Sequence, residues 1–217
     1  MKIILLCFIL SNFVLANIGT VTAMRGEAFA QRSGNIQKTL KMGSHVQRGD
    51  QIVTKANSRV QILLNDDTVI TVGSNTTFKF DSYFFDGSEK SKVEMHVVKG
   101  FFRSLTGQIG KIAPKSFKVK TDLATLGIRG TDFSILILKN KKEFYRCYAG
   151  SIVVTYKNQL QHAIMAGENY LLSETKENVQ VLESITQMQD LNIEEIDSLI
   201  NQGKLFDEHA LQGELCN

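Results

Sequence analysis

A single proline, no tryptophan and only four histidines set this 217-residue chain apart by what it lacks. One proline excludes Pro-rich linkers and polyproline segments. The histidines, His45, His96, His162 and His209, lie far apart and form no HExxH and no metal-spaced Cys/His cluster. No GxSxG elbow occurs, and nothing local pairs a serine or Cys147 with a base. The chain is therefore expected to be non-enzymatic, with no catalytic residue, cofactor or metal. Gly107-Gln108-Ile109-Gly110-Lys111 ends like a phosphate loop but lacks its first glycine and final Ser/Thr. Asp86-Gly87 is no calcium loop, because Phe84 and Val93 would occupy ligand positions. Both read as turns. With 43% hydrophobic and 22% charged residues the balance is that of a globular domain, not of a disordered chain or a coiled coil.

Long apolar runs are also missing, apart from one at the amino terminus. Lys2, the apolar stretch Ile3 to Leu15, and Val14-Leu15-Ala16 together have the pattern of a secretory signal peptide over residues 1–16. The stretch is short of the ~20 residues that span a bilayer. A cleavable signal, a periplasmic location and no transmembrane segment after cleavage are the expectations. Removal of Cys7 with the signal leaves Cys147 and Cys216. In an oxidising compartment these allow one disulfide; the alternative is that Cys147, in a strand-like Phe144–Tyr148, is a small buried hydrophobe.

What is present is a β pattern. From Ile18 to Leu182, short segments of alternating apolar and polar residues are separated by turn signals. Asp86-Gly87 is the strongest of these, between Phe78–Phe85 and Val93–Val98. The reading is a mainly β domain over 17–182, built of stacked twisted hairpins as a solenoid-like roll or a sandwich. Residues 183–217 change period. Asn192 and Glu195 form a capping-box variant ahead of Ile193, Ile196, Leu199 and Ile200, which predicts a short helical tail. Charge divides at the same place: 17–182 carries a net +9 and 183–217 a net −7. The lysines of the body are scattered, without a basic stripe and stacking aromatics, so nucleic acid is not an expected partner.

One segment carries more information: Thr121-Asp122-Leu123-Ala124-Thr125-Leu126-Gly127-Ile128-Arg129-Gly130-Thr131-Asp132-Phe133. Gly127 and Gly130 permit positive φ or close backbone approach, Ile128 can point inward, and Thr131 can close a turn. Arg129, with five donors, suits a structural clamp on carbonyls or a carboxylate; the alternative is contact with an acidic ligand.

This Gly-Ile-Arg-Gly-Thr-x-Phe motif after Thr-x-x-Ala resembles the hallmark of the FecR-domain family. Gly49-Asp50-Gln-Ile-Val-Thr54, Leu64-Asn-Asp-Asp67-Thr, Val98-Lys-Gly100-Phe-Phe-Arg103 and Gly150-Ser-Ile-Val-Val follow the family's order. The likeness covers roughly Ile18 to Tyr156. It departs from the family at Asp122-Leu123, where a proline is usual. The resemblance implies a stand-alone exported β domain that binds envelope receptor, signalling or assembly proteins without catalysis, with Gly127, Ile128, Arg129, Gly130, Thr131 and Phe133 as mainly structural hallmark residues. The alternative is an envelope-polymer or carbohydrate binder using Tyr83, Phe84 and Phe85.

Overall fold

The computed structural model describes residues 17–32, 36–138, 142–157, 159–174 and 179–182. The signal peptide expected over 1–16 and the helical tail expected over 183–217 lie outside the described residues. Fifteen strands are described, all in one sheet. They are β1 (Asn17–Arg25), β2 (Ala28–Arg32), β3 (Ile36–Thr39), β4 (His45–Gln47), β5 (Gln51–Thr54), β6 (Arg59–Leu64), β7 (Val69–Val72) and β8 (Thr77–Phe84). After them come β9 (Lys92–Leu105), β10 (Phe117–Lys120), β11 (Ala124–Ile137), β12 (Glu143–Tyr156), β13 (Gln161–Met165), β14 (Asn169–Glu174) and β15 (Val179–Leu182). A short helix, α1 (Ile109–Ile112), precedes β10. Among the described residues no helix is long and apolar enough to cross a membrane.

The pairings show how one sheet makes a core. The first parts of β9 and β11 and the last part of β12 join β3, β2, β5, β8, β10 and β13. The other parts of the same three strands join β4, β1, β6, β7, β14 and β15. Each of the three is fourteen residues long and bends at a glycine with φ in the left-handed region: Gly100 at 87°, Gly130 at 57° and Gly150 at 75°. The sheet thus folds over on itself, and its halves meet face to face. Phe78 of β8 packs on Phe102 of β9 across the fold, with ring centroids 5.5 Å apart. Alternation does the rest: in β11 Leu126, Ile128, Phe133 and Ile135 are buried, and in β12 Tyr145, Cys147, Ile152 and Val154.

Corners expose backbone polar groups to the interior, and buried hydroxyls satisfy them. Thr54 Oγ1 donates to the Gly73 carbonyl at 2.6 Å and accepts from the Thr76 amide at 2.9 Å. Thr76 Oγ1 accepts from the Phe101 amide at 2.9 Å. Ser58 and Ser74 pair in the same way. Each such bond avoids the cost of a buried unpaired group, about 1–3 kcal/mol.

Two expectations are corrected. The pairings are not mainly sequential hairpins, since β1–β6, β2–β5 and β5–β8 join distant segments, and β9–β10 is parallel. The hallmark is not a turn before a strand. It is part of β11, with a bulge between Arg129 and Asp132 that lets pairing resume on both sides.

Candidate functional site

The hallmark residues separate into two groups. Ile128 and Phe133 point into the core. Thr131 is buried, and its backbone is held by a neighbour: Thr106 Oγ1 donates to the Thr131 carbonyl at 2.6 Å and accepts from its amide at 2.8 Å. Gly130 takes the left-handed conformation that the bulge needs. These residues are structural.

Arg129 and Gly127 are not. The Arg129 side chain is exposed and makes no hydrogen bond or ion pair with any described residue, so the clamp expectation is corrected. The strand parity that buries Ile128 sends Arg129 outward. The clamp beside the hallmark is instead Arg103 of β9, whose Nε donates to Asp132 Oδ1 at 2.8 Å and whose Nη2 reaches Oδ2. The Arg103 guanidinium also lies 4.6 Å over the Tyr148 ring, with Arg146 5.0 Å from the same ring. Gly127 has no positive φ. A Cβ there would meet only the Val153 carbonyl, at 4.0 Å. Its effect is to leave an empty place on the outer face of the sheet.

That place is the floor of a groove of about 530 Å³ across β10 to β13. Register explains its walls. Gly127 lies between Lys118 of β10 and Val153 of β12, and Thr125 lies between Lys120 and Thr155. Lys115, Lys118 and Lys157 give the groove three cationic side chains, and Asp122 is the one carboxylate among its described lining residues. Lys115 and Lys118 are exposed and pair with no described residue. Exposed Val153 lines the groove, and exposed Leu160 and Met165 stand beyond it. β13 is an edge strand, paired only with β12 among the described residues.

At the inner end of the groove a buried carboxylate lies behind Thr121. Glu143 is 1% exposed. It accepts from Thr121 Oγ1 at 2.6 Å, from the Tyr145 hydroxyl, and from the Leu123 amide at 3.3 Å. Burial pushes its carboxyl above the ordinary value, and the three donors offset only part of that. Burial, reinforced by the adjoining Glu143 carboxylate, raises the Tyr145 phenol, so it remains a donor. Sequence reading singled out none of Lys115, Lys118, Asp132 and Glu143. The first two carry no motif; the last two become partners only through register.

Other candidates are placed elsewhere. Cys147 is buried and bonded to no described cysteine, its thiol raised by burial; Cys216, its suggested partner, lies outside the described residues. Tyr83 is buried and donates to Asp66 at 3.0 Å. Phe85 packs against the core, and Phe84 alone of these three aromatics is exposed. Gly107 approaches the Asp66–Thr68 backbone too closely for any Cβ, as a packing turn does. Among the described residues no three His, Cys, Asp or Glu side chains gather as a metal site.

Residues 50–152, from just before β5 into β12, match the family model described as FecR protein. Among solved structures it is similar to a proposed anti-sigma factor from Parabacteroides distasonis, at 16% identity and a TM-score of 0.48, covering 63% of this chain and 61% of that one. The chain thus spans about three fifths of that structure's length. It is also similar to a cell surface anchoring domain, at 24% identity and a TM-score of 0.28, over 29% of this chain and 82% of that one. No curated protein matches.

Proposed function

We propose that the protein is a non-enzymatic docking module of the cell envelope, exported to the periplasm, which binds a protein partner through the outer face of β10 to β13. The observation that carries this reading is Arg129. A motif whose other members build the corner holds one guanidinium in solvent, unpaired with any described residue, beside a groove that Gly127 keeps open. Exposed Val153 and Met165 flank it on β12 and β13. Together they offer a charged anchor with an apolar surround, the composition of a protein-binding patch rather than of a reaction centre. The FecR domain agrees with a role in signalling or assembly at the envelope. The polymer-binding alternative has little support, because only Phe84 of its three aromatics is available for stacking.

Exported protein should lack residues 1–16 by mass spectrometry; an intact amino terminus in the membrane fraction would overturn the location. For docking, Gly127→Val fills the groove floor where space for a Cβ exists, and a β-branched residue suits a strand. It should melt like the wild type and lose the partner captured from the envelope fraction by the unmodified protein. A variant that retains capture would remove this face from the function.

A further inference from the structure

We propose that the groove floored by Gly127 is the seat of the chain's own acidic segment, residues 183–217, which lies outside the described residues. The inference rests on reading the β10 to β13 face as the docking surface, and it names what occupies that surface before a partner does.

Charge is the first argument. Lys115 and Lys118 stand exposed at the groove without a partner among the described residues, and Arg129 lies along the same face in the same state. Segment 183–217 carries eight carboxylates and one lysine, against a net +9 for residues 17–182. Single exposed pairs contribute little, so the attraction must come from several made together. Chemistry is the second argument. Ile193, Ile196, Leu199 and Ile200 are interleaved with Glu194, Glu195 and Asp197, so one short stretch supplies both apolar and acidic groups. The groove offers both kinds of surface: Lys115 and Lys118 with Lys157 among its lining, and exposed Val153 on β12, with exposed Leu160 and Met165 further along.

Tethering decides between occupants. β15 ends at Leu182 and pairs with β14, which pairs with β12, the strand that also walls the groove. Thirty-five residues follow, with an extended reach of about 115 Å, enough to cross the domain. Covalent linkage holds such a segment near the groove at up to millimolar effective concentration. An acidic partner or a second copy must exceed that to enter first. Docking of a partner is then displacement of the segment.

The test uses the full exported chain and zero-length carbodiimide coupling of lysines to carboxylates, mapped by mass spectrometry. The expected product is monomeric, with links from Lys115 or Lys118 to acids of 183–217. These links should vanish at 1 M salt, where screening acts within about 3 Å, and in the double variant Lys115→Glu, Lys118→Glu with an unchanged melting temperature. Adding Glu194→Lys, Glu195→Lys and Asp197→Lys to that variant should restore coupling with polarity reversed. Links only between molecules would assign the seat to a second copy and overturn the proposal. So would coupling spread evenly over remote lysines such as Lys41 and Lys99, or none at Lys115 and Lys118. The two readings fail separately: absent links with Gly127→Val still blocking capture sinks the segment alone, whereas links present with capture unaffected sinks the docking face.

Discussion

At the scale of single residues, the hallmark arginine and its neighbouring glycine play opposite parts. Arg129 touches no described partner, so Arg129→Ala should change stability by no more than about 0.5 kcal/mol. Gly130 has open space where a Cβ would sit, but φ is 57°. Gly130→Val therefore strains the backbone even though its Cβ meets nothing within 4 Å, at about 1–3 kcal/mol. Thermal melts of both variants give the ordering. An Arg129→Ala protein that melts as low as Gly130→Val would show a structural role that the geometry does not contain. Burial, more than residue type, separates the two arginines: Arg103 is partly covered and forked onto Asp132, while Arg129 has neither cover nor partner. The same five donors stabilise the fold in one position and leave a contact available in the other.

At the scale of elements, the long strands work because their corners are stacked. Gly150 and Gly130 lie side by side at the bends of β12 and β11. A Cβ on Gly150 would come within 2.1 Å of the Gly130 carbonyl oxygen, in addition to the strain of φ 75°. Gly150→Ala should therefore destabilise clearly more than Gly130→Ala, which meets strain alone. Urea denaturation of the pair measures the difference, and equal midpoints would mean that the two corners do not press on one another. These bends also explain what was legible in the sequence. Alternation revealed strands such as Arg59–Leu64 and Ile152–Tyr156 because each buries one face locally. The hairpin at Asp86-Gly87 was legible too, although its strands are joined by seven residues rather than a tight turn. Nothing in the sequence announced that β9, β11 and β12 each pass through a glycine into the second half of the sheet. A positive-φ glycine inside a strand looks the same as one that ends it. The groove was hidden for a related reason: its floor is a missing side chain, and its lysines meet it only through the register of β10 with β11.

At the scale of the whole molecule, the two halves of the sheet are continuous at the glycine corners and are tied again at the opposite end by Glu143. Thr121 ends the β10 edge of one half, Glu143 and Tyr145 begin β12 in the other, and the carboxyl joins them. Burial holds the folded-state pKa of Glu143 above its unfolded value. Between those two values the native state keeps a proton that the unfolded chain has released. The stabilising contribution is thus fully present below the unfolded carboxylate value, about 4.3, and is lost as pH rises through the higher native one. Asp86, held low by its hydrogen bonds to Ser88, runs the other way, as does Glu94 through Lys92 and Lys120. The total pH profile therefore mixes signs, and the difference from a variant isolates the tie. Glu143→Gln retains an acceptor for Thr121 but cannot ionise. The melting temperature of the wild type minus that of Glu143→Gln should be greatest in acid and fall as pH rises toward neutrality. A difference that stays flat, or that grows with pH, would mean Glu143 is ionised in the folded protein across the range, with its three donors outweighing burial. A fall in that difference also bears on function, since Thr121 lines the groove and hydrogen-bonds to the same carboxyl: ionisation at the tie would then reach the face on which docking is proposed.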